Sequence, residues 1–189
     1  MTDVPGSPSS ASASRGPLRL RLSPTARKTT LVVHLIASMG WLTLMICVLV
    51  LALSALATSD ADALRTAYRA MPMLGDALIL PLSLSSPASG LILALGTPWR
   101  LFRYHWVAVK FWLTLAATVA SNLALTARLH EAAHAATRHP TGSIERMDLG
   151  FLPYNLVIIS CVAIALYTTT VVLSVAKPWG PRAKYRRAR

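Results

Sequence analysis

The chain has 189 residues, of which 54% are hydrophobic and 14% charged, and its formal net charge is +12 at pH 7. This balance argues against a soluble domain, because few polar side chains remain to cover its surface. It also argues against a nucleic-acid-binding protein, since the basic residues flank apolar runs and do not form a basic face on a folded element.

Four apolar segments are long enough to cross a lipid bilayer. Thr29 to Ala57 contains no Asp, Glu, Lys, Arg or Pro, and it exceeds the roughly 20 residues that span a ~30 Å hydrocarbon core. Three further helices are predicted at about residues 74–97, 104–127 and 149–176. Residues 1–28 are rich in Ser, Pro, Ala and Gly and are predicted to be a disordered tail; residues 177–189 form a basic tail. The sequence therefore predicts an all-α, four-helix transmembrane bundle.

The distribution of basic residues predicts the orientation. Fourteen of the 19 Lys and Arg residues lie in the two tails or around the second connector, and five lie in the other two connectors. By the positive-inside rule both termini are cytoplasmic, and the protein is a multi-pass protein of the plasma membrane. We expect the basic tails to attract anionic lipids, at about 1 kcal/mol per cation near the surface. A stop-transfer anchor without lipid recognition is the alternative.

Ionisable side chains inside a span are costly, which makes them candidates for function. His34 lies about one and a half turns into the first helix, and Trp41 follows on the same face. Lys110 begins a small, polar edge of the third helix that continues to Ser121. His34 and Lys110 are predicted at a similar depth, where they could bind a cofactor or metal and an anion, respectively. The structural alternatives are a simple hydrogen bond for His34 and snorkelling of Lys110 to the interface.

The second helix is predicted to be kinked. Asp76 is expected to open it from the outer side, where a negative charge suits a helix amino terminus. Pro81 and Pro87 lie on either side of Ser83 and remove two backbone donors, so neighbouring Ser hydroxyls or water must bond the freed carbonyls. A structural kink is favoured over a substrate pathway. Asp76, Ser83 and Ser121 are the predicted membrane-buried polar residues.

The predicted third connector contains an H-E-x-x-H pattern, His130-Glu131-Ala132-Ala133-His134. On a helix the two His residues lie one turn apart and can bind zinc while Glu131 activates water. The candidates for a third ligand are His139, Glu145 and Asp148. Because so short a pattern often arises by chance and little chain is left to hold a substrate, a solvated helix end is favoured over incidental metal affinity and over a zinc peptidase.

Several segments resemble a family of small predicted integral membrane proteins of bacteria: HLIASMGWL, YRAMPMLGDALILPLSL, GLILALGTPW, HWVAVKFWLTL and LSVAKPWG. The pieces from His34 to Trp41 and from Trp106 to Lys110 are also similar to copper-resistance CopD-like and protoporphyrinogen-oxidase HemJ-like four-helix proteins. The HemJ-like resemblance implies haem ligation by His34 beside Lys110, although no second His lies inside a span. The CopD-like resemblance implies copper handling, for which the candidate soft ligands are Met39, Met45, Met71 and Met73.

The sequence thus favours a non-enzymatic membrane component or a small transporter-like accessory. A haem- or copper-binding membrane redox protein is the alternative, with His34, Trp41 and Lys110 as its cofactor-binding residues. A zinc peptidase with His130 and His134 as metal ligands is the third hypothesis.

Overall fold

The computed structural model describes residues 22–96 and 104–176, apart from the side chains at positions 145 and 146. Its four long helices are α1 (Pro24–Ala57), α2 (Ala61–Gly96), α3 (His105–Arg138) and α4 (Leu152–Ala176). Each is long and apolar enough to cross a membrane. The prediction of an all-helical protein with four such helices is therefore confirmed. The predictions for residues 1–21, for the connector 97–103 and for the basic tail 177–189 lie outside the described residues.

Helix α1 begins five residues before the predicted start at Thr29. Ser23 caps the helix, because its hydroxyl accepts a hydrogen bond from the Ala26 N–H at 3.2 Å. Pro24 occupies the first turn, where its missing N–H costs nothing. Residues 24–28, predicted as part of the disordered tail, are therefore helical.

Helix α2 begins at Ala61, well before the predicted start near residue 74. The carboxylate of Asp60 accepts a hydrogen bond from the Asp62 N–H at 2.9 Å, which caps the first turn. Pro72 lies inside the helix and does not end it. The prediction that Asp76 opens this helix is therefore wrong: Asp76 lies within α2, and its side chain is 56% exposed on the outside of the bundle.

Helix α3 continues past the predicted end near residue 127 and carries the whole H-E-x-x-H pattern. A π-helical turn at Ser121–Leu125 interrupts its α-helical hydrogen bonding. Helix α4 begins at Leu152, whereas the sequence predicted residue 149. Its start is delayed because Gly150 has a φ of 50°, a left-handed conformation that an α-helix does not accommodate.

The helices alternate in direction. The start of α1, the end of α2, the start of α3 and the end of α4 share one end of the bundle, which we call the tail end; residues 58–60 and 139–151 form the loop end. Helix α1 packs against α2 and α4, while α3 packs against α2 near the loop end and against α4 near the tail end. The fully buried core lies towards the loop end and includes Trp41, Met45, Val48, Tyr68, Met71, Leu129 and Leu156.

The outside of the bundle is apolar. Large aliphatic side chains are exposed along all four helices, among them Leu31, Ile36, Val50, Leu80, Leu123, Ile158 and Val175. Contiguous apolar surface of this extent is rare on soluble monomers. Like the helix lengths, it is what a bundle able to cross a membrane would present.

Arg65 ties α2 to the second loop-end connector. Its side chain is 6% exposed, and Nη1 pairs with the exposed carboxylate of Asp62 at 2.8 Å. Nε donates to the His139 carbonyl at 2.7 Å, and Nη2 donates to the Gly142 carbonyl at 2.6 Å. His139 directly follows the last residue of α3, so this guanidinium satisfies carbonyls that the helix itself cannot bond.

We predict that Arg65→Leu destabilises the protein strongly, because the His139 and Gly142 carbonyls lose their charged donor. Such bonds contribute about 1.5–3 kcal/mol each, so loss of the two should lower the free energy of unfolding by about 3–6 kcal/mol. Thermal unfolding in detergent, followed by circular dichroism, measures the change. The control is Arg128→Leu, whose ion pair with Glu131 is 44% and 50% exposed and should contribute about 0–1 kcal/mol. If the two variants were equally stable, the hydrogen bonds of Arg65 to the connector would not stabilise the fold.

Candidate functional site

A cavity of about 490 Å³ lies between all four helices in the tail-end half of the bundle. Along α1 it extends from Arg27 to Trp41, a distance of about 20 Å by helical rise. It exists because α1 packs against α2 and α4 but makes no extensive contact with α3 among the described residues. The three residues predicted as a cofactor-binding set, His34, Trp41 and Lys110, all line this tail-end cavity.

His34 is held by the part of α2 that contains Pro87. Its Nδ1 lies 3.0 Å from the Ser86 carbonyl oxygen and 3.1 Å from Ser89 Oγ. Because a carbonyl only accepts, the hydrogen-bond network assigns the proton to Nδ1, and Nε2 of the neutral ring keeps its lone pair. Gly90 eases this close approach, since a Cβ there would lie 3.2 Å from His34 Cε1, tighter than an ordinary contact. Histidines that bind metals commonly donate the other ring N–H to a carbonyl in this way.

Lys110 projects into the same cavity from α3. Its ammonium donates a hydrogen bond to Ser174 Oγ on α4 at 2.7 Å. Arg27 lines the cavity near the tail end, and no Asp or Glu of the described chain lines it. A cation in an apolar setting without a carboxylate partner is costly. The cavity therefore carries uncompensated positive charge.

The closed end of the cavity is formed by two aromatic residues in contact. The rings of Trp41 and Tyr167 meet edge to face with centroids 4.7 Å apart, and Trp41 is 1% exposed. Within the described chain, Trp41 Nε1 is buried without a hydrogen-bond partner. A buried donor left unpaired costs about 1–3 kcal/mol, so this indole N–H calls for an acceptor in the cavity. The sequence analysis missed Tyr167, although a tyrosine in the middle of an apolar span was itself a signal.

A second polar cluster lies deeper, where α2 meets α3. Pro87 lacks the N–H that would bond the Ser83 carbonyl. Thr118 Oγ1 lies 3.1 Å from that carbonyl and 2.9 Å from the Thr114 carbonyl of its own helix, so its single proton is shared between the two. Asn122 Nδ2 donates to Ser83 Oγ at 2.7 Å. Ser83 and Ser121, both predicted as buried polar residues, are buried inside the bundle. The donor that replaces the proline N–H comes from α3, from a residue that the sequence analysis did not single out.

His130 and His134 lie one turn apart on α3 and line a separate pocket of about 390 Å³ at the loop end, with His139 and Asp148. His130 Nδ1 donates to the Thr126 carbonyl at 2.9 Å. Its Nε2 lies 3.4 Å from Asp76 Oδ2. Two histidines one turn apart are thus present on a helix, as the H-E-x-x-H pattern requires.

The other elements of a zinc peptidase site are not assembled around these histidines. Glu131, the predicted base, pairs with Arg128 at 2.6 Å. No three His, Cys, Asp or Glu side chains in the described part of the chain are grouped so that they could hold a metal ion. The side chain of Glu145 lies outside that part. The pattern therefore gains no third ligand from the structure.

The predicted haem and copper ligands are also only partly brought together. His34 and Met39 line the tail-end cavity. Met45 and Met71 are buried in the core, and Met73 is 74% exposed on the outside. Among the described residues, His34 is the one histidine that lines the cavity. The donor set fits a haem with one axial histidine better than a copper ion, which would have two protein ligands there.

Comparisons with protein families, with curated proteins and with solved structures give no significant match. The resemblance to the CopD-like and HemJ-like proteins therefore stays a prediction. Fold and cavity define a class: an all-helical protein with four helices able to cross a membrane, and a cavity between them that is lined by a histidine and a lysine.

We predict that Thr118→Val destabilises the protein by about 1–3 kcal/mol, because the Ser83 carbonyl then has neither the proline N–H nor the hydroxyl as a donor. In a Pro87→Ala background the restored N–H should bond this carbonyl and remove at least half of that cost. A double-mutant cycle on thermal unfolding measures the coupling. Thr169→Val is the control, since its exposed hydroxyl bonds only the Ala165 carbonyl of its own helix. Additive effects of the two substitutions would show that Thr118 does not compensate for Pro87.

Proposed function

We propose that this chain is a multi-pass membrane protein that binds a small molecule in its tail-end cavity. It acts as a non-enzymatic membrane component or a small transporter-like accessory. The observation that carries the proposal is the space itself: about 490 Å³ enclosed by four helices and lined by His34, Lys110 and Trp41. Preformed, mostly apolar cavities with a few convergent polar groups are the usual form of a small-molecule site.

The chemistry of the lining supports binding in preference to catalysis. Lys110 and the ring N–H of Trp41 are hydrogen-bond donors, and His34 is fixed by Ser86 in one tautomer. An acid–base pair, the usual basis of hydrolytic chemistry, needs two titratable groups within hydrogen-bond reach. The described lining instead offers separate groups spaced along the cavity, an arrangement that suits recognition of a ligand at several points.

The distribution of basic residues favours a cytoplasmic location for the tail end. Arg27, Lys28 and Lys110 lie at or near this end of the helices, and the basic segments 1–21, 97–103 and 177–189 continue from it along the chain. The positive-inside rule therefore favours cytoplasmic termini and a cavity in the cytoplasmic half of a plasma membrane. Anionic lipids are the expected partners of the basic tails.

We predict that a reporter fused after Gly142 and one fused after Arg189 lie on opposite sides of the membrane. Alkaline phosphatase, which is active only outside the cytoplasm, should be active at Gly142 and inactive at Arg189. Green fluorescent protein should show the reverse. Phosphatase activity at both positions would contradict an even number of crossings, and activity at Arg189 alone would reverse the orientation.

A second candidate, a haem-binding protein, is favoured by one observation. The Nδ1–H of His34 is bonded to the Ser86 carbonyl, which leaves Nε2 as an axial ligand for iron. Lys110 and Arg27 would pair with the propionates of the haem. Haem would supply one-electron chemistry, and the residues of this chain would orient it and exclude water from it.

We predict that the purified protein carries a small molecule that a cavity-filling variant loses. Thr114 lines the cavity, and Thr114→Phe should expel most of the co-purified ligand, measured by mass spectrometry of the solvent extract. Leu115→Phe, at an exposed neighbouring position, is the matched control and should keep it. Equal ligand content in the two variants would contradict binding in the cavity.

The same preparations separate the two candidates. A haem protein shows a Soret band that is lost in His34→Ala and kept in the control His105→Ala, whose histidine is exposed at the start of α3. A colourless preparation from cells supplied with haem, with a different molecule in the extract, supports the first candidate and rejects the second.

A further inference from the structure

We infer that the ligand of the tail-end cavity is a lipophilic carboxylate with a second oxygen acceptor about 10 Å from its carboxylate group. This inference rests on the proposed function and names the ligand class for the same cavity. It follows from three features of the described lining: a cation without a counter-ion, a mostly apolar middle section, and a buried indole N–H without an acceptor.

The first feature is the charge. Lys110 lies on a helix that is able to cross a membrane, and its described partner is the neutral hydroxyl of Ser174. A charged group at such a position is normally paired. Since no Asp or Glu of the described chain lines the cavity, an anionic group of the ligand is the natural counter-ion. Arg27 also lines the cavity but is exposed at its tail end. The partly buried Lys110 ammonium therefore calls for one negative charge inside the cavity, which a carboxylate provides in its smallest form.

The second feature is the depth of the cavity beyond this cation. Tyr167 lies seven residues before Ser174 on α4, and the Lys110 ammonium contacts Ser174. Seven residues correspond to about 10 Å along the helix. The wall between these levels includes Leu113 and Val171, with Thr114 and Thr170 among them. The Thr170 hydroxyl donates to the Tyr167 carbonyl of its own helix at 2.8 Å, so it does not require a partner in the cavity. An alkyl chain fits this wall, because burial of apolar surface stabilises it without any hydrogen bond.

The third feature marks the closed end. Trp41 lines the cavity, and its Nε1 is buried without an acceptor in the described chain. The indole N–H can only donate. A hydroxyl or carbonyl oxygen on the ligand chain would satisfy it. A plain saturated chain would leave this donor unpaired, at a cost that reduces its affinity.

The test uses four probes: octadecanoic acid, its methyl ester, 10-hydroxyoctadecanoic acid, and the methyl ester of that hydroxy acid. Apparent dissociation constants come from native mass spectrometry of the detergent-solubilised full-length protein. We expect each acid to bind at least tenfold more tightly than its ester. The hydroxy acid should bind at least fivefold more tightly than octadecanoic acid.

Variants of the cavity show which residue is responsible for each binding preference. Lys110→Met should abolish the preference for acid over ester, and Lys110→Arg should restore most of it. Lys28→Met is the matched control, since Lys28 is exposed near the same end and does not line the cavity. Trp41→Phe combined with Tyr167→Phe should remove the preference for the hydroxy acid while keeping that for the acid. Circular dichroism confirms that each variant is folded.

The outcomes separate this inference from the proposed function. If esters bind as tightly as acids and Thr114→Phe abolishes binding of both, the cavity remains the binding site and the anionic ligand is rejected. If the acid is preferred but the hydroxyl makes no difference, the second acceptor is rejected and water occupies the closed end. If none of the probes binds and no small molecule co-purifies, the proposed function itself fails.

Discussion

The constraint on which this structure depends is that polar groups inside an apolar bundle must find their partners within the protein or in a bound molecule. Hydrocarbon offers no hydrogen bonds, so each freed carbonyl or charged side chain needs a specific neighbour. Pro87 illustrates the point, because it removes one donor from α2 and Thr118 supplies another from α3. The turn of α2 that contains Pro87 is thereby in contact with α3. This contact fixes the rotation of the two helices about their own axes.

The same constraint can be followed at both ends of the bundle. At the loop end each nitrogen of the buried Arg65 guanidinium donates a hydrogen bond, while Tyr68 Oη in the adjoining core is buried without a partner among the described residues. At the tail end Lys110 has a hydroxyl in place of a carboxylate, and Trp41 Nε1 has no acceptor in the described chain. Unlike Tyr68, these two residues line a cavity, where a ligand or an ordered water can supply the missing partner.

Much of the fold could be predicted from the sequence, because long charge-free runs specify membrane-crossing helices without any knowledge of their packing. The boundaries were harder to predict: α2 begins thirteen residues before the predicted start at residue 74, because Asp60 caps it, and Pro72 continues a helix that sequence rules tend to end. His34, Trp41 and Lys110 could be placed at one site from helical spacing and depth. Tyr167 could not, because α4 is apolar on all sides and its sequence does not reveal which face meets α1.

The position of His34 shows how the sequence of α2, its backbone and the cavity are connected. A glycine at position 90 allows α1 to approach α2 closely enough for the imidazole to reach the Ser86 carbonyl. That bond fixes the tautomer and directs the free lone pair of the ring to its other nitrogen, on a residue that lines the cavity. Pro87, in the adjacent turn, lacks the N–H of a regular helical hydrogen bond. Ser86, Pro87 and Gly90 all line the cavity, so its shape is set by the backbone of α2 as much as by side chains.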